Sequence, residues 1–183
     1  MSAAVLRDKT KINELADDRE SCLHVLTWTA LCFTKHTIKK SSLKGLLQPF
    51  NGAYEDGDLS AGELKISSLL PKKIPLWVKF DDRPHLDALI AELTYAIAIR
   101  YEAPPSQSRI KPAIYEDIMN YGTAQMNSLG ERDWLVKVFK RHLEADPWPD
   151  KDKAVDQRSD RKSNGDADGP SAAKRMRLSQ VGG

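Results

Sequence analysis

The sequence predicts an α+β fold: a single domain with helices packed on a mixed or antiparallel sheet, followed by a disordered C-terminal tail. Three observations point there. Residues 22–35 place apolar and threonine side chains with a period of two, the spacing of a strand. Two shorter stretches, 64–70 and 74–80, alternate in the same way. Around them lie segments with apolar residues every three or four positions, the spacing of amphipathic helices.

Residues 1–20 mix both charge signs around Ile12 and Leu15 and read as a polar N-terminal arm. In 22–35 one side carries Leu23, Val25, Thr27, Thr29, Leu31 and Phe33; the other carries Cys22, His24, Leu26, Trp28, Ala30 and Cys32. With both sides apolar, this predicts a central strand covered on both faces. Ser41 and Ser42 suit the N-cap of a short helix to about Tyr54, which Pro49 breaks or kinks. Asn51-Gly52 and residues 55–58 are turn signals. Leu64, Ile66, Ser68 and Leu70 give a second strand. Ile74, Leu76, Val78 and Phe80 give a third, kept at an edge by Pro71 and Pro75.

Residues 84–101 fit two patterns. Leu86, Leu89, Ile90, Leu93 and Ile97 suit a helix begun by Pro84; Leu93, Tyr95, Ile97, Ile99 and Tyr101 suit a strand. The reading adopted is helix to Glu92 and strand from Leu93 to Tyr101, with one continuous helix as the alternative. Pro112 opens a helix to about Ser128, with Ile114, Tyr115, Ile118 and Met119 on one face. Trp134, Leu135, Val138, Phe139 and His142 space as a last amphipathic helix. The globular domain thus covers 21–149. Residues 150–183 have no aromatics and many charges, and read as the disordered tail.

Charge and cysteine usage narrow the function classes. The net charge of +2 is carried entirely by residues 150–183, so the body is neutral on balance. That argues against a dedicated high-affinity nucleic-acid domain, though not against a local basic patch. Cys22 and Cys32 sit in an apolar stretch and suit reduced, buried thiols. No apolar run reaches the roughly 18 residues of a membrane span, position 2 is serine, and no prenylation cysteine ends the chain.

The residues suited to chemistry are scattered. His24, His36, His85 and His142 show no metal-ligand spacing, and no nucleophile elbow or phosphate-binding glycine loop is present. Asp17-Asp18 and Asp81-Asp82 read as turn or surface pairs. The expectation is a protein that is not an enzyme, with no cofactor and no metal.

Three basic clusters offer surfaces for phosphate. They are Lys35, Lys39, Lys40 and Lys44 with His36; Lys72, Lys73 and Lys79; and Lys137, Lys140 and Arg141. Lys39, Lys40 and Lys44 flank a predicted helix N-terminus, which favours anions, and Ser41 and Ser42 could add hydrogen bonds. Trp77 and Phe80 interleave with the second cluster, although the core is the better place for Trp77. Trp148, between Pro147 and Pro149, suits packing on the body or docking a partner equally well.

The tail reads Pro170-Ser171-Ala172-Ala173-Lys174-Arg175-Met176-Arg177-Leu178, with Arg161-Lys162 upstream. It resembles the import signal of the Myc oncoprotein, and the upstream pair suits a two-part signal. This implies an importin-α type receptor and a nuclear address carried by Arg161, Lys162, Lys174, Arg175, Met176, Arg177 and Leu178.

Two further stretches resemble rhabdovirus matrix proteins, especially the short ones of plant viruses. One is the threonine-containing segment 23–34 with the basic, serine-led helix and segment 64–70 after it. The other is Glu92-Leu93-Thr94-Tyr95-Ala96-Ile97-Ala98-Ile99-Arg100-Tyr101-Glu102 with the proline-containing loop and helix that follow. The lysine-rich N-terminal tail of the animal-virus members is not here, and Pro104-Pro105 is followed by Ser106-Gln107 rather than the budding motif. The resemblance implies a structural virion protein that self-associates as a homo-oligomer and bridges RNA-bearing nucleocapsid to an anionic membrane surface. With the tail, it implies passage through the host nucleus. The alternative is a cellular nuclear adaptor, a subunit of a chromatin or replication complex.

Overall fold

The computed structural model describes residues 1–8, 10–50, 61–70, 74, 77–145, 148–149 and 153–158. Among these the chain is helical, with no strand or sheet. Seven α-helices follow one another: α1 Ala3–Arg7, α2 Leu15–Phe33, α3 Lys40–Leu47, α4 Ala61–Leu69, α5 Pro84–Ala98, α6 Pro112–Gly130 and α7 Trp134–Glu144. Short 3-10 turns occupy Gln48–Phe50 and Gln107–Arg109. The predicted α+β architecture is therefore wrong for the described residues.

The first predicted strand is α2. Its buried residues Glu20, Leu23, His24, Thr27, Ala30 and Leu31 recur every three or four positions. The decisive pair is Leu23 and Val25, which a strand would place side by side on one face. Leu23 is 1 % exposed and Val25 is 65 % exposed. Two-sided apolar runs do not distinguish a covered strand from a buried helix, and β-branched residues prefer strands only in context. Helix also ends the chain's need for sheet partners, since its backbone bonds close within the segment.

The second predicted strand is α4. The split of 84–101 fails too: α5 runs through Leu93 to Ala98, burying Leu86, Leu89, Ile90, Leu93 and Ile97 along one stripe and leaving Tyr95 exposed. Pro84 occupies its first turn, where a missing N–H costs nothing. Of the third predicted strand, residues 75 and 76 lie outside the described residues. What remains is one isolated antiparallel bridge, His36 with Phe80. α3 starts at Lys40 behind an N-cap of Lys39, so Ser41 and Ser42 sit inside its first turn and do not cap it. Pro112 does open α6, and α7 falls where the sequence places it.

α2 and α5 form the centre, and the core fills in on both sides of them. One cluster joins Ala30, Leu31 and Cys32 of α2 to Leu43 and Leu47 of α3, to Val78 and Phe80, and to Leu86 and Ile90 of α5. The other joins Leu23 to Leu69, Leu89, Leu93, Ile97, Leu129 and Val138. Both cysteines are free thiols; Cys32 is buried and Cys22 half-buried.

A polar lock ties the N-terminal segment to this centre. Arg100 donates to Asp17 and to Glu20, each at 2.7 Å. The Tyr101 hydroxyl donates to Glu20 at 2.6 Å, and the Ala3 N–H donates to the same carboxylate at 2.6 Å. Ser2 and Lys11 both donate to Asp17. Burial alone would raise both carboxyl pKa values. The hydrogen bonds overcome it: Arg100, Lys11, the Glu14 N–H and Ser2 hold Asp17 well below the usual carboxylate range, and His24, the Ala3 N–H and Tyr101 lower Glu20. Asp17 is thus a buried structural anion rather than half of a surface pair, and only Asp18 is exposed. Arg19 reaches in the other direction, donating to the carbonyls of Ser128, Leu129 and Glu131 at the C-terminal end of α6. It also lies over the Trp134 ring, 5.5 Å from its centroid.

Of the stretch read as the tail, residues 153–158 are described. Residues 153–158 run against the end of α2, where the N–H groups of Val155 and Gln157 donate to the carbonyls of Phe33 and Cys32 at 2.9 and 2.8 Å. Those carbonyls are among the acceptors a helix C-terminus leaves open. Arg158 covers the Trp28 and Phe33 rings.

Candidate functional site

Two exposed surfaces stand out, one basic and one apolar. The basic one begins at the His36–Phe80 bridge. Thr37 N–H donates to the Lys79 carbonyl and Asp81 N–H to the Lys35 carbonyl, both at 2.9 Å. This pairing brings the first basic cluster to Lys79 of the second. Lys35, Lys39, Lys40, Lys44 and Lys79 are all exposed. Lys72 and Lys73 lie outside the described residues.

Trp77 is 60 % exposed, against the core position the sequence favoured. Phe80 is the aromatic that goes inside, edge-on to His36 at 6.2 Å. Trp77 stands at an apolar cavity of about 390 Å³ shared with Ile38, Leu46, Phe50, Leu64 and Ile74. Exposed apolar carbon therefore lies within a few residues in sequence of Lys39, Lys44 and Lys79, while Lys35 lines a different hollow with Asp81, Asp82 and Arg83. That mixture suits a ligand with both phosphate and an apolar or aromatic part.

The third cluster is different. Lys137 pairs with Asp133 at 3.0 Å, and Arg141 and His142 both hold Glu92, at 2.9 and 2.8 Å. The Glu92 contacts join α7 to α5 and the Lys137 pair lies within the start of α7, so much of this charge is engaged in structure. Lys140 is exposed on the same helix.

The apolar surface is α6. Only Leu129 of its residues is buried. Ile114, Ile118, Met119, Tyr121 and Met126 are between 38 and 62 % exposed. At 100° per residue these five fall with Tyr115, Gly122 and Leu129 within an arc of roughly 160°. Ile118, Met119, Tyr121 and Met126 face a groove of about 390 Å³, whose far wall is Ile99 and the Ala103-Pro104-Pro105 loop. The sequence does show the stripe, in Ile114, Tyr115, Ile118 and Met119, but periodicity alone assigns it to the core. Only the three-dimensional packing leaves it uncovered.

Trp148 packs on the body: its indole N–H donates to the His142 carbonyl at 3.1 Å and its ring lies 6.3 Å from His85. Residues 161–178, with the import-like signal, lie outside the described residues. Among the described residues no three His, Cys, Asp or Glu side chains converge as metal ligands. No described helix is long and apolar enough to cross a membrane. The buried ions of the polar lock have their hydrogen bonds satisfied by the protein itself, which suits a structural role.

No family model, curated protein or solved structure matches this chain.

Proposed function

We propose that this chain is a non-enzymatic assembly protein that associates with itself and holds a phosphate-bearing partner on its basic end. The observation behind the reading is the His36–Phe80 bridge, which sets the backbone of Lys79 against Thr37, two residues before Lys39, with Trp77 exposed nearby in the chain. Several cations on one face raise the local potential and attract polyanions, while an exposed indole adds stacking or interfacial insertion. RNA in a nucleocapsid and anionic lipid headgroups share the required chemistry. A matrix-type protein would use both, and its tail, Arg161 to Leu178, would engage the import receptor. The matrix resemblance itself lends little support, since the segments that carry it, 23–34 and 92–102, are largely α2 and α5.

The test is flotation of the full chain with vesicles of phosphatidylserine and phosphatidylcholine, alongside filter binding to single-stranded RNA. Salt-sensitive binding to at least one is expected, weakened by Lys39→Glu with Lys44→Glu and Lys79→Glu. Absence of binding to both at low salt would overturn the reading. For the tail, Lys174→Ala with Arg175→Ala is expected to make a large fluorescent fusion cytoplasmic; unchanged nuclear accumulation would refute it.

The cellular adaptor is the second reading, and the α6 stripe favours it. Pro112–Gly130 contains Glu116 and Asp117 and no Lys or Arg. Helices that lie on anionic membranes carry basic polar faces, so this one suits a protein partner. Binding to neither lipid nor RNA, with intact nuclear import, would favour the adaptor.

A further inference from the structure

We propose that the hollow between α2, α4 and the Gln48–Phe50 turn binds a small organic carboxylate with a flat apolar body, its charged end on Lys65. This goes beyond the proposed function and uses none of the lysines of the basic clusters.

The argument starts from a charge without a counter-ion. Lys65 on α4 is 8 % exposed, and burying an ammonium is unfavourable unless an anion meets it. Its Nζ donates to the Met1 carbonyl at 2.8 Å. Two of its three N–H groups have no protein acceptor among the described residues. Glu20 attracts it only from a distance, and burial outweighs that attraction and lowers the Lys65 pKa. That carboxylate is already engaged, because Lys11 and Arg100 match the charges of Asp17 and Glu20. Lys65 is the surplus cation of this region.

The space beside it has the size and lining of a small-molecule site. It measures about 360 Å³, within the range of ligand cavities. The Trp28 and Phe50 rings stand in its wall with Val25 and Thr29. Val25 and Thr29 are exposed, so the hollow opens to solvent on that side. His24 lies edge-on to Phe50 at 5.6 Å and meets Glu20 through Nε2 at 3.3 Å. Burial lowers the His24 pKa, so its imidazole is uncharged at neutral pH and Lys65 is the single cationic side chain of the lining. One cation matches one negative charge. A carboxylate supplies that charge with two acceptor oxygens for the two open N–H groups, and aromatic walls favour a flat body behind it. A phosphate dianion would bring a second charge that no lining side chain answers.

The probe is naphthoate, set against naphthalenemethanol, which has the same rings and no charge. Isothermal titration calorimetry of the full chain should show naphthoate binding about tenfold or more tightly than the alcohol. Lys65→Met keeps an apolar stem and removes the charge. It should abolish that preference, and naphthoate should no longer raise the melting temperature as it does for the wild type. Val25→Glu changes an exposed rim residue and not the core. By repulsion it should weaken naphthoate by about threefold and leave the alcohol and the far-UV dichroism unchanged. Equal affinity for the two probes, binding of neither at millimolar concentration, or a full preference retained in Lys65→Met would overturn the proposal. Val25→Glu decides the matter without disturbing Lys65: unchanged naphthoate affinity there would place the binding elsewhere and overturn it too. Displacement of naphthoate by an equal concentration of inorganic phosphate would overturn the carboxylate assignment.

Discussion

α2 and α6 are both 19 residues long, and they invert each other. α2 buries Asp17, Arg19 and Glu20 and exposes Val25. α6 exposes five large apolar residues and buries one, Leu129. The difference separates structure from surface. Buried charge is tolerated on α2 because Asp17 and Glu20 meet partners from Ser2, Ala3, Lys11, Arg100 and Tyr101, and Arg19 meets the carbonyls of Ser128, Leu129 and Glu131. Exposed apolar side chains on α6 have no comparable partner within the described chain, and that is what a binding face looks like before it binds.

The comparison breaks most easily at Arg100. Arg100→Leu removes the cation that Asp17 and Glu20 share, leaving Asp17 to Lys11 and Glu20 to His24, Tyr101 and the Ala3 N–H, and should cost about 3 kcal/mol in urea unfolding. Adding Asp17→Asn and Glu20→Gln to that variant should recover part of the loss. No recovery would mean that Arg100 acts by packing.

Gly62 tests the other edge of the same region. A Cβ there would sit 2.6 Å from the Ala3 carbonyl oxygen and 3.0 Å from the Arg7 nitrogen. Gly62→Ala should therefore push α1 off α4, costing about 1–3 kcal/mol, with faster amide exchange confined to residues 3–7 if the seam is local.

Acid titration sharpens the lock without mutation. Asp17 and Glu20 have depressed pKa values in the fold, so their contribution is fully present above their ordinary values of 3.8 and 4.5. It is lost as pH falls further, toward the folded values. Stability should decline first as pH falls below about 6.5, where His24, buried in the fold, takes up a proton in the unfolded chain, and further below about pH 5 through the carboxylates; Arg100→Leu should flatten the second stage. An unchanged acid limb in the variant would remove these carboxylates from the account.

Gly122→Ala is expected to raise the unfolding free energy by up to about 1 kcal/mol, read in urea unfolding, since alanine favours helix and its Cβ meets nothing. The smallest effect should come from the exposed Lys137–Asp133 pair. Lys137→Ala should leave the urea unfolding midpoint almost unchanged, and unchanged in high salt.

The elements that could be read from sequence are those with a proline start and a single apolar stripe. Pro112 with Ile114 and Ile118, and Trp134 with Val138 and Phe139, identify α6 and α7. The stretch 22–35 misleads because its two sides are equally apolar and its threonines suit strands. Its length was the available warning, since a 14-residue strand exceeds the usual 3–10 residues. The polar lock was not readable. Asp17 and Glu20 find Arg100 about eighty positions away, and sequence spacing carries no trace of a pairing that distant.

Charge, composition and helix starts were thus settled by the chain alone: a neutral body, basic clusters in sequence, a tail that carries the net charge, and helices opened by Pro84 and Pro112. These depend on residue identity and on neighbours within one turn. Whether a stripe is covered, whether a carboxylate is buried with its counter-ions, and which distant backbone segments pair were decided only by tertiary packing. Those outcomes depend on which distant segments come together, and local periodicity is the same whether a face meets the core, a partner or water.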